Sequence, residues 1–439
     1  MKSCIRQNKR EIFLYLWLVV MALLNAFFYD TMIVFALVIF VGAVVQKIDF
    51  IFYIMAFCMP LVSIFKISAN SISVLPVLFL VFVIKLFINK KIHLYEHNTI
   101  AFAFFVVLQV MSVLLYGAGI VSTISLLLNV FCVMCGSAYF MNHSETNRQI
   151  KVSSIFFISG TILDILIADI FPNITLTMNA QKIEVLEYNN RYAALNMDPN
   201  EFSQYVLISI CLGVALLPII KTRFGKIIDV ACILFLAYSG YRSYSKSYIL
   251  TLLIIVAIAF IMFLVRIRKR KGLVTALLTA VPVIVVGVIC TVAFYKIFVL
   301  DVFAARDFYN TDLFSGRDYI WSEYMKALGK RIDVIIWGCG QQNYIFLHNF
   351  CALSGGKVPH NAYIDFLIQY GVIGSIAFAI CWKNLIKDII INKRHTYLML
   401  AILAFMISSM SLSINANDCI FILAMLVSMK YNDFQKAKI

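Results

Sequence analysis

Charge is scarce in this sequence. Asp, Glu, Lys and Arg make up 13% of its 439 residues, where an ordinary soluble domain carries about 25%. Apolar residues reach 62% against about 45–50% in such domains. A water-soluble globule of this length cannot hide so much apolar side chain. With a mean hydropathy of +0.92, the deficit excludes a soluble enzyme, a disordered chain and a secreted disulfide scaffold. Common catalytic signatures are also missing: no P-loop, HExxH, zinc-ligand spacing or GxSxG occurs. ATP-driven transport and the usual hydrolase mechanisms are therefore without support, and neither a cofactor nor a metal is expected. Acids are the scarcer charge, 22 against 37 Lys and Arg, for a net charge of +15. The cations sit in short clusters between apolar runs instead of on one continuous basic face, so nucleic acid is not an expected partner.

The eleven cysteines form no framework of paired spacings. Cys132-x-x-Cys135 lies inside an apolar run with no second pair and no His, and reads as small packing residues. Cys339 and Cys351 share a long hydrophilic stretch; they either form one disulfide in an oxidising compartment or stay as two free thiols.

What is abundant is apolar runs. A helix needs ~20 mostly apolar residues to cross ~30 Å of hydrocarbon, and the runs lie near 12–29, 31–45, 50–65, 72–88, 98–116, 118–141, 152–171, 201–220, 227–241, 247–265, 273–299, 363–382, 397–412 and 417–429. Lys2, Arg6, Lys9 and Arg10 precede the first run as in a signal peptide, but no small-residue cleavage site follows and another run begins at once, so the first helix is retained. The expectation is an all-α integral membrane protein, a single polytopic domain over 1–439 with about fourteen transmembrane helices. With the N-terminus inside and strict alternation, inner segments hold 24 Lys and Arg and outer ones 12, with Lys85 left within a span. Cytoplasmic loops keep the excess, which puts both termini in the cytoplasm. Both long hydrophilic stretches, 172–200 and 300–361, then fall outside, the second between spans 11 and 12. Long ordered loops are usually functional. Within the second, Tyr319 to Leu328 is amphipathic at helical spacing and is expected to lie on the membrane surface. WGCGQQNY at 337–344 reads as a glycine-punctuated turn region, and SGGKVPHNAY at 354–363 leads into the next helix.

Seven polar residues on that expected outer side carry candidate chemistry: Arg191, Asn200, Arg242, Lys246, Arg317, Asp318 and His360. Five are cationic or become so on protonation, the composition needed to hold a phosphate. Each also has a plainer reading. His360 caps a helix or faces water; Arg317 and Lys246 anchor at the interface by snorkelling; Arg191 pairs with Glu184 or Glu187; Asp198-Pro199-Asn200 is a turn and helix start. Asp164 and Asp169, late in an apolar span where carboxylates are costly, are secondary candidates.

Their order along the chain adds information. RYAALNMDPNEFSQY at 191–205, SYSKSYILTLL at 243–253, SGRDYIW at 315–321, the Gly-x-Gly at 338–340 and PHNAYIDFLIQYGVIG at 359–374 together resemble the O-antigen polymerase and O-antigen ligase superfamily. The resemblance covers about residues 190–380, its most specific part being the His-Asn followed by Gly-x-x-Gly. Residues 1–180 resemble that family only as a bundle of spans. Two positions depart from it: Lys246 stands where many members have Arg, keeping the charge without the bidentate fork, and Tyr-Ala-Ala follows Arg191 in place of the usual glycine.

The resemblance implies a glycosyltransferase on the outer face of the bacterial plasma (inner) membrane, using glycans joined to undecaprenyl pyrophosphate as both donor and acceptor. The glycosyl pyrophosphate carries the energy, so no nucleotide is required. By this likeness Arg191, Lys246 and Arg317, with Arg242 in reserve, stabilise the leaving pyrophosphate. His360 serves either as base toward the acceptor hydroxyl or as a hydrogen-bond partner of the pyrophosphate, with Asp318 the alternative base and Asn200 and Asn361 in support. A polymerase is favoured, because polymerases diverge more in sequence. The alternatives are a ligase transferring the glycan to lipid A core and, from another class, a lipid-linked oligosaccharide flippase. Membrane lipids and a chain-length regulator are the further partners such an enzyme implies.

Overall fold

The computed structural model describes residues 2–28, 32–65, 73–92, 94–143, 147–171, 192–196, 198–294, 317–353, 358–383, 398–412 and 419–429. Among them are seventeen α-helices and no strand. In chain order these are α1 (Lys2–Phe27), α2 (Met32–Val45), α3 (Ile48–Cys58), α4 (Val74–Ile88), α5 (Glu96–Tyr116), α6 (Ile120–His143), α7 (Asn147–Ile170), α8 (Pro199–Leu216), α9 (Arg223–Tyr241), α10 (Lys246–Lys271), α11 (Leu273–Phe294), α12 (Arg317–Lys330), α13 (Ile332–Trp337), α14 (Tyr344–His348), α15 (Ala362–Cys381), α16 (Leu398–Ser408) and α17 (Cys419–Ser428). A helix thus occupies each of the fourteen apolar runs. Seven are long and apolar enough to cross a membrane alone, in α1, α5, α6, α7, α9, α10 and α15.

Their outer faces require lipid. On α5 the exposed residues Ile100, Phe104, Val107, Met111 and Leu114 recur at helical spacing as an apolar stripe, a surface that water does not tolerate at this extent. The helices solve the other half of the membrane problem by bonding their backbone internally. Inside the bundle α3 is buried almost throughout, and α8 is buried over most of its length between α7, α9, α10 and α16. Close approach is set by small residues. A Cβ on Gly160 of α7 would run into the Phe57 carbonyl of α3.

Hydrogen bonds between helix ends sort the bundle into two ends. At one, Arg148 of α7 grips Glu11 of α1 through two bonds of 3.1 and 2.9 Å. There too the Tyr139 hydroxyl of α6 donates to Asp49 at 3.2 Å, Lys85 Nζ donates to the Gln46 carbonyl at 2.7 Å, and Asn98 Nδ2 of α5 donates to the Cys381 carbonyl at 3.0 Å. These are the neighbours an up-and-down order brings together. Lys85 therefore reaches past its own span to cover the open C-terminus of α2, where a cation is favoured.

At the other end α12, α13 and α14 form a small lobe with its own core of Tyr324, Ala327, Leu328, Val334, Cys339, Tyr344, Leu347 and Ile368. The amphipathic face expected to lie on the membrane is spent here: α12 buries Tyr324, Ala327 and Leu328 inside the lobe. Arg331 lies over the Phe346 and Phe350 rings at 4.5 and 4.8 Å and pairs with Asp333 at 2.6 Å, which also accepts from the Tyr116 hydroxyl of α5 at 2.9 Å. Hydrogen bonding from Arg331 pulls the Asp333 carboxyl down to about 2. Cys339 and Cys351 are both free thiols; burial pushes the Cys339 thiol up to about 12.

Candidate active site

The site is organised by a break in a helix. Asn361 caps α15, its side chain accepting from the Tyr363 and Ile364 amides at 3.0 and 3.3 Å. The helix then kinks at Gly371, whose φ of 61° and ψ of −175° are non-helical. A kink strips carbonyls of their helical donors, and in a membrane those carbonyls need replacements. The Gly-x-Gly segment supplies them: the Cys339 amide donates to the Ile368 carbonyl at 2.8 Å and the Gly340 amide to the Gln369 carbonyl at 3.0 Å. The approach leaves no room for side chains. A Cβ on Gly338, which has φ 79°, would enter the Gln369 carbonyl, and one on Gly371 would sit 2.5 Å from the Ile336 carbonyl oxygen. This contact fastens the lobe to α15.

One half of the site sits at this junction. Trp321 Nε1 donates to the Pro359 carbonyl at 2.8 Å, tying α12 to the turn that carries His360. Arg317 lies one helical turn before Trp321, on the same face, and is half-buried, whereas Asp318 is exposed. His360 is half-buried and held at φ 48°, a left-handed backbone that costs a non-glycine residue ~1–3 kcal/mol. The lobe and α15 together thus bring Arg317 and His360 to one edge.

The second half is built from α7, α8, α9 and α10. Asp198 caps α8 by accepting from the Asn200 amide at 2.7 Å, with Pro199 in the first helical position. Ser245 caps α10 and its hydroxyl donates to Asn200 Oδ1 at 2.8 Å. This cap-to-helix bond fixes Lys246, the first residue of α10, beside the start of α8. Arg242 is held more tightly. Its guanidinium forks onto Asp169 at 2.8 and 2.9 Å and lies over the Tyr192 ring at 3.7 Å, while the Tyr192 amide donates to the Arg242 carbonyl at 3.2 Å. Hydrogen bonding to Asp169 raises the Arg242 pKa. The partner that Asp169 lacked in the sequence is therefore Arg242, and Asp164 accepts from Asn196 Nδ2 at 3.0 Å. Arg191 lies outside the described residues; its neighbour Tyr192 is clamped.

The end of α16 joins the halves. Gln204, one turn after Asn200, donates to the Ser408 and Ser409 hydroxyls at 2.9 and 3.2 Å, and the Tyr363 hydroxyl of α15 donates to the Met406 carbonyl at 2.8 Å. The N-termini of α8, α10 and α15 consequently converge on one end of the bundle. Each carries partial positive charge, which adds to that of Lys246, Arg242 and Arg317. Among the described residues, four of the five non-glycine residues with positive φ, namely Ala194, Tyr244, Gln342 and His360, also lie at this end. Such outliers concentrate at functional sites. What the sequence could not reveal was the set of contacts that position the candidates: Trp321 on Pro359, Ser245 on Asn200, and Arg242 on Asp169 and Tyr192. The only hint was the unexplained pair of carboxylates late in α7. Among the described residues no group of three or more His, Cys, Asp or Glu is placed to hold a metal.

Residues 231–379 match the family model of the O-antigen ligases, and over that segment the resemblance to the O-antigen ligase and polymerase superfamily is borne out. The matched segment contains Arg242, Lys246, Arg317, Asp318, His360 and Asn361; Arg191 and Asn200 precede it. No curated protein matches the chain.

Proposed function

We propose that this protein is a polymerase that transfers a glycan from undecaprenyl pyrophosphate onto another lipid-linked repeat unit at the outer face of the bacterial plasma membrane, in the assembly of a surface polysaccharide. The observation carrying this reading is the convergence, at one end of the bundle, of the polar groups lying in the matched segment, Lys246 beside Asn200 and Arg317 beside the His360 turn. In this reading all fourteen apolar helices cross the membrane, both termini are cytoplasmic, and the lobe end faces outward.

The acceptor hydroxyl attacks the anomeric carbon of the donor glycan. The bond from that carbon to the pyrophosphate oxygen breaks, its electron pair leaving with the pyrophosphate, and the hydroxyl proton passes to His360, with Asp318 as the alternative acceptor. Arg317, Lys246 and Arg191 receive the charge growing on the leaving group; removing one such preorganised donor costs ~10²–10³ in rate. Arg242 already forks onto Asp169, so its part is to hold the chain around Tyr192 in place beside Arg191. Asn361 holds the His360 turn at the start of α15, and Asn200 holds Lys246 through Ser245. The candidate cations gather at the lobe end of the bundle instead of lining a path through it, which favours transfer over flipping. A chain-length regulator is a proposed partner.

The test is the length distribution of surface glycans after deletion of the gene. Single-repeat glycans are expected from loss of a polymerase; lipid-linked polymer accumulating without attachment identifies a ligase instead.

A further inference from the structure

The bundle end opposite the lobe has a feature that transfer chemistry does not use. Between α1 and α2 runs a groove of about 900 Å³, lined by Phe13, Leu14, Trp17, Val38, Val41 and Val45 along its shaft and by Lys9, Arg10 and Lys47 at its mouth. Gly42 shapes the wall, because a Cβ there would stand 2.5 Å from the Trp17 ring. The three cations are exposed, and among the described residues none makes an ion pair. The acids nearest in sequence do not line the groove and have partners on other helices: Glu11 is taken by Arg148 and Asp49 accepts from Tyr139. A second apolar groove, of about 580 Å³ between α7 and α9, contrasts with it, for there one cation, Lys151, shares the lining with one carboxylate, Asp229. The α1–α2 groove alone of these two has an apolar shaft under an unneutralised mouth of three positive charges.

We propose that the groove between α1 and α2 binds one anionic phospholipid of the inner leaflet, its phosphate at Lys9, Arg10 and Lys47 and one acyl chain along Trp17. Basic pockets between membrane helices on the cytoplasmic side recognise anionic headgroups in this way. The site rests on the membrane placement of this end and not on glycosyl transfer. Ordinary snorkelling gives the cations a headgroup but no defined place for the chain; the groove supplies that place.

Trp17 is a reporter inside the site. The full-length protein is reconstituted in phosphatidylcholine vesicles containing rising fractions of chain-brominated phosphatidylglycerol or, in parallel, chain-brominated phosphatidylcholine. The Trp17 signal is taken as the difference between the native protein and Trp17→Phe. Each basic residue near the surface contributes ~1 kcal/mol toward anionic lipid, or about fivefold, so half-quenching is expected at a mole fraction at least about fivefold lower for the brominated phosphatidylglycerol. Replacing Lys9, Arg10 and Lys47 together by Gln removes the preference. If that protein does not insert, Arg10→Gln and Lys47→Gln singly are each expected to lower it measurably. Equal quenching of the native protein by both lipids, no Trp17 component in the quenching, or a preference unchanged in the charge variants overturns the proposal. Because the readout needs no glycan, a preparation with the lipid preference but without transfer activity separates this inference from the proposed reaction.

Discussion

The helices from α1 to α7 and those from α8 to α16 are made of similarly apolar runs, yet the two regions use their polar residues differently. In the first, polar side chains staple neighbouring helices: Glu11 to Arg148, Asp49 to Tyr139, Lys85 to the end of α2. Its backbone is ordinary, with Lys90 as the one non-glycine residue of positive φ among those described before Ala194. In the second, Asn200, Lys246, Arg317 and Asn361 stand at helix starts with Arg242 at the end of α9, and the backbone there and in the stretch leading into it is strained at Ala194, Tyr244, Gln342 and His360. Apolar surface builds both regions; the second departs from the simplest helix pattern around the candidate site, as functional sites usually do. The family match, residues 231–379, lies wholly within the second region.

The largest effect that would break this contrast is expected at Arg317. Arg317→Ala should lower glycan extension by ~10²–10³ at unchanged levels of inserted protein, and Arg317→Lys should recover only part, since a point charge replaces a planar fork. Polymer of near-normal length from the alanine variant, scored on glycan gels, returns Arg317 to an interfacial anchor. Gly338→Ala comes next. Its Cβ meets the Gln369 carbonyl, so the lobe must shift from α15; extension should drop at least tenfold and limited proteolysis should cut the lobe sooner. A smaller loss, about fivefold for a partly exposed pair worth ~1 kcal/mol, is expected for Asp169→Asn, which frees Arg242 from its fork; it should appear in the turnover rate of extension, because Tyr192 and the residue before it lose their support.

The control comes from the other region. Glu11→Gln removes the Arg148 pair and should lower the melting temperature in detergent by ~2 °C while leaving activity per folded molecule unchanged. A matched loss of turnover would erase the distinction between the two regions. The smallest effect is in the lobe. Asp333 is held at about 2 by Arg331, below the ordinary carboxylate value of ~3.9. A depressed folded pKa gives stability that is present above the ordinary value and lost as the pH falls toward 2. Lobe proteolysis should therefore rise only below about pH 4, and Asp333→Asn should blunt that acid limb.

The helices were legible because spanning a membrane demands long apolar runs, and Lys and Arg mark their flanks. The candidate residues were legible as a pattern of polar types at helix starts. Their supports were not, because each is a contact between distant parts of the chain. Gly338 and Gly340 read as turn residues, and only the folded chain reveals that the amides of Cys339 and Gly340 serve carbonyls set free at Gly371, about thirty residues on. Likewise Asp169 and Arg242 lie 73 residues apart, a spacing that helical periodicity cannot connect. The amphipathic spacing of α12 specifies a helix, but periodicity gives only the apolar face and not what covers it; here that is the rest of the lobe.

If the lobe end performs glycosyl transfer, the purified protein extends glycans by itself. In detergent, where no flip is needed, the native protein supplied with lipid-pyrophosphate repeats should lengthen them. His360→Ala should abolish or strongly reduce this, with some extension kept by His360→Gln if the histidine acts through a hydrogen bond. If well-folded native protein forms no glycosidic bond from its cognate lipid-linked repeats, yet moves them across liposome bilayers, the account is contradicted and the protein is a transporter.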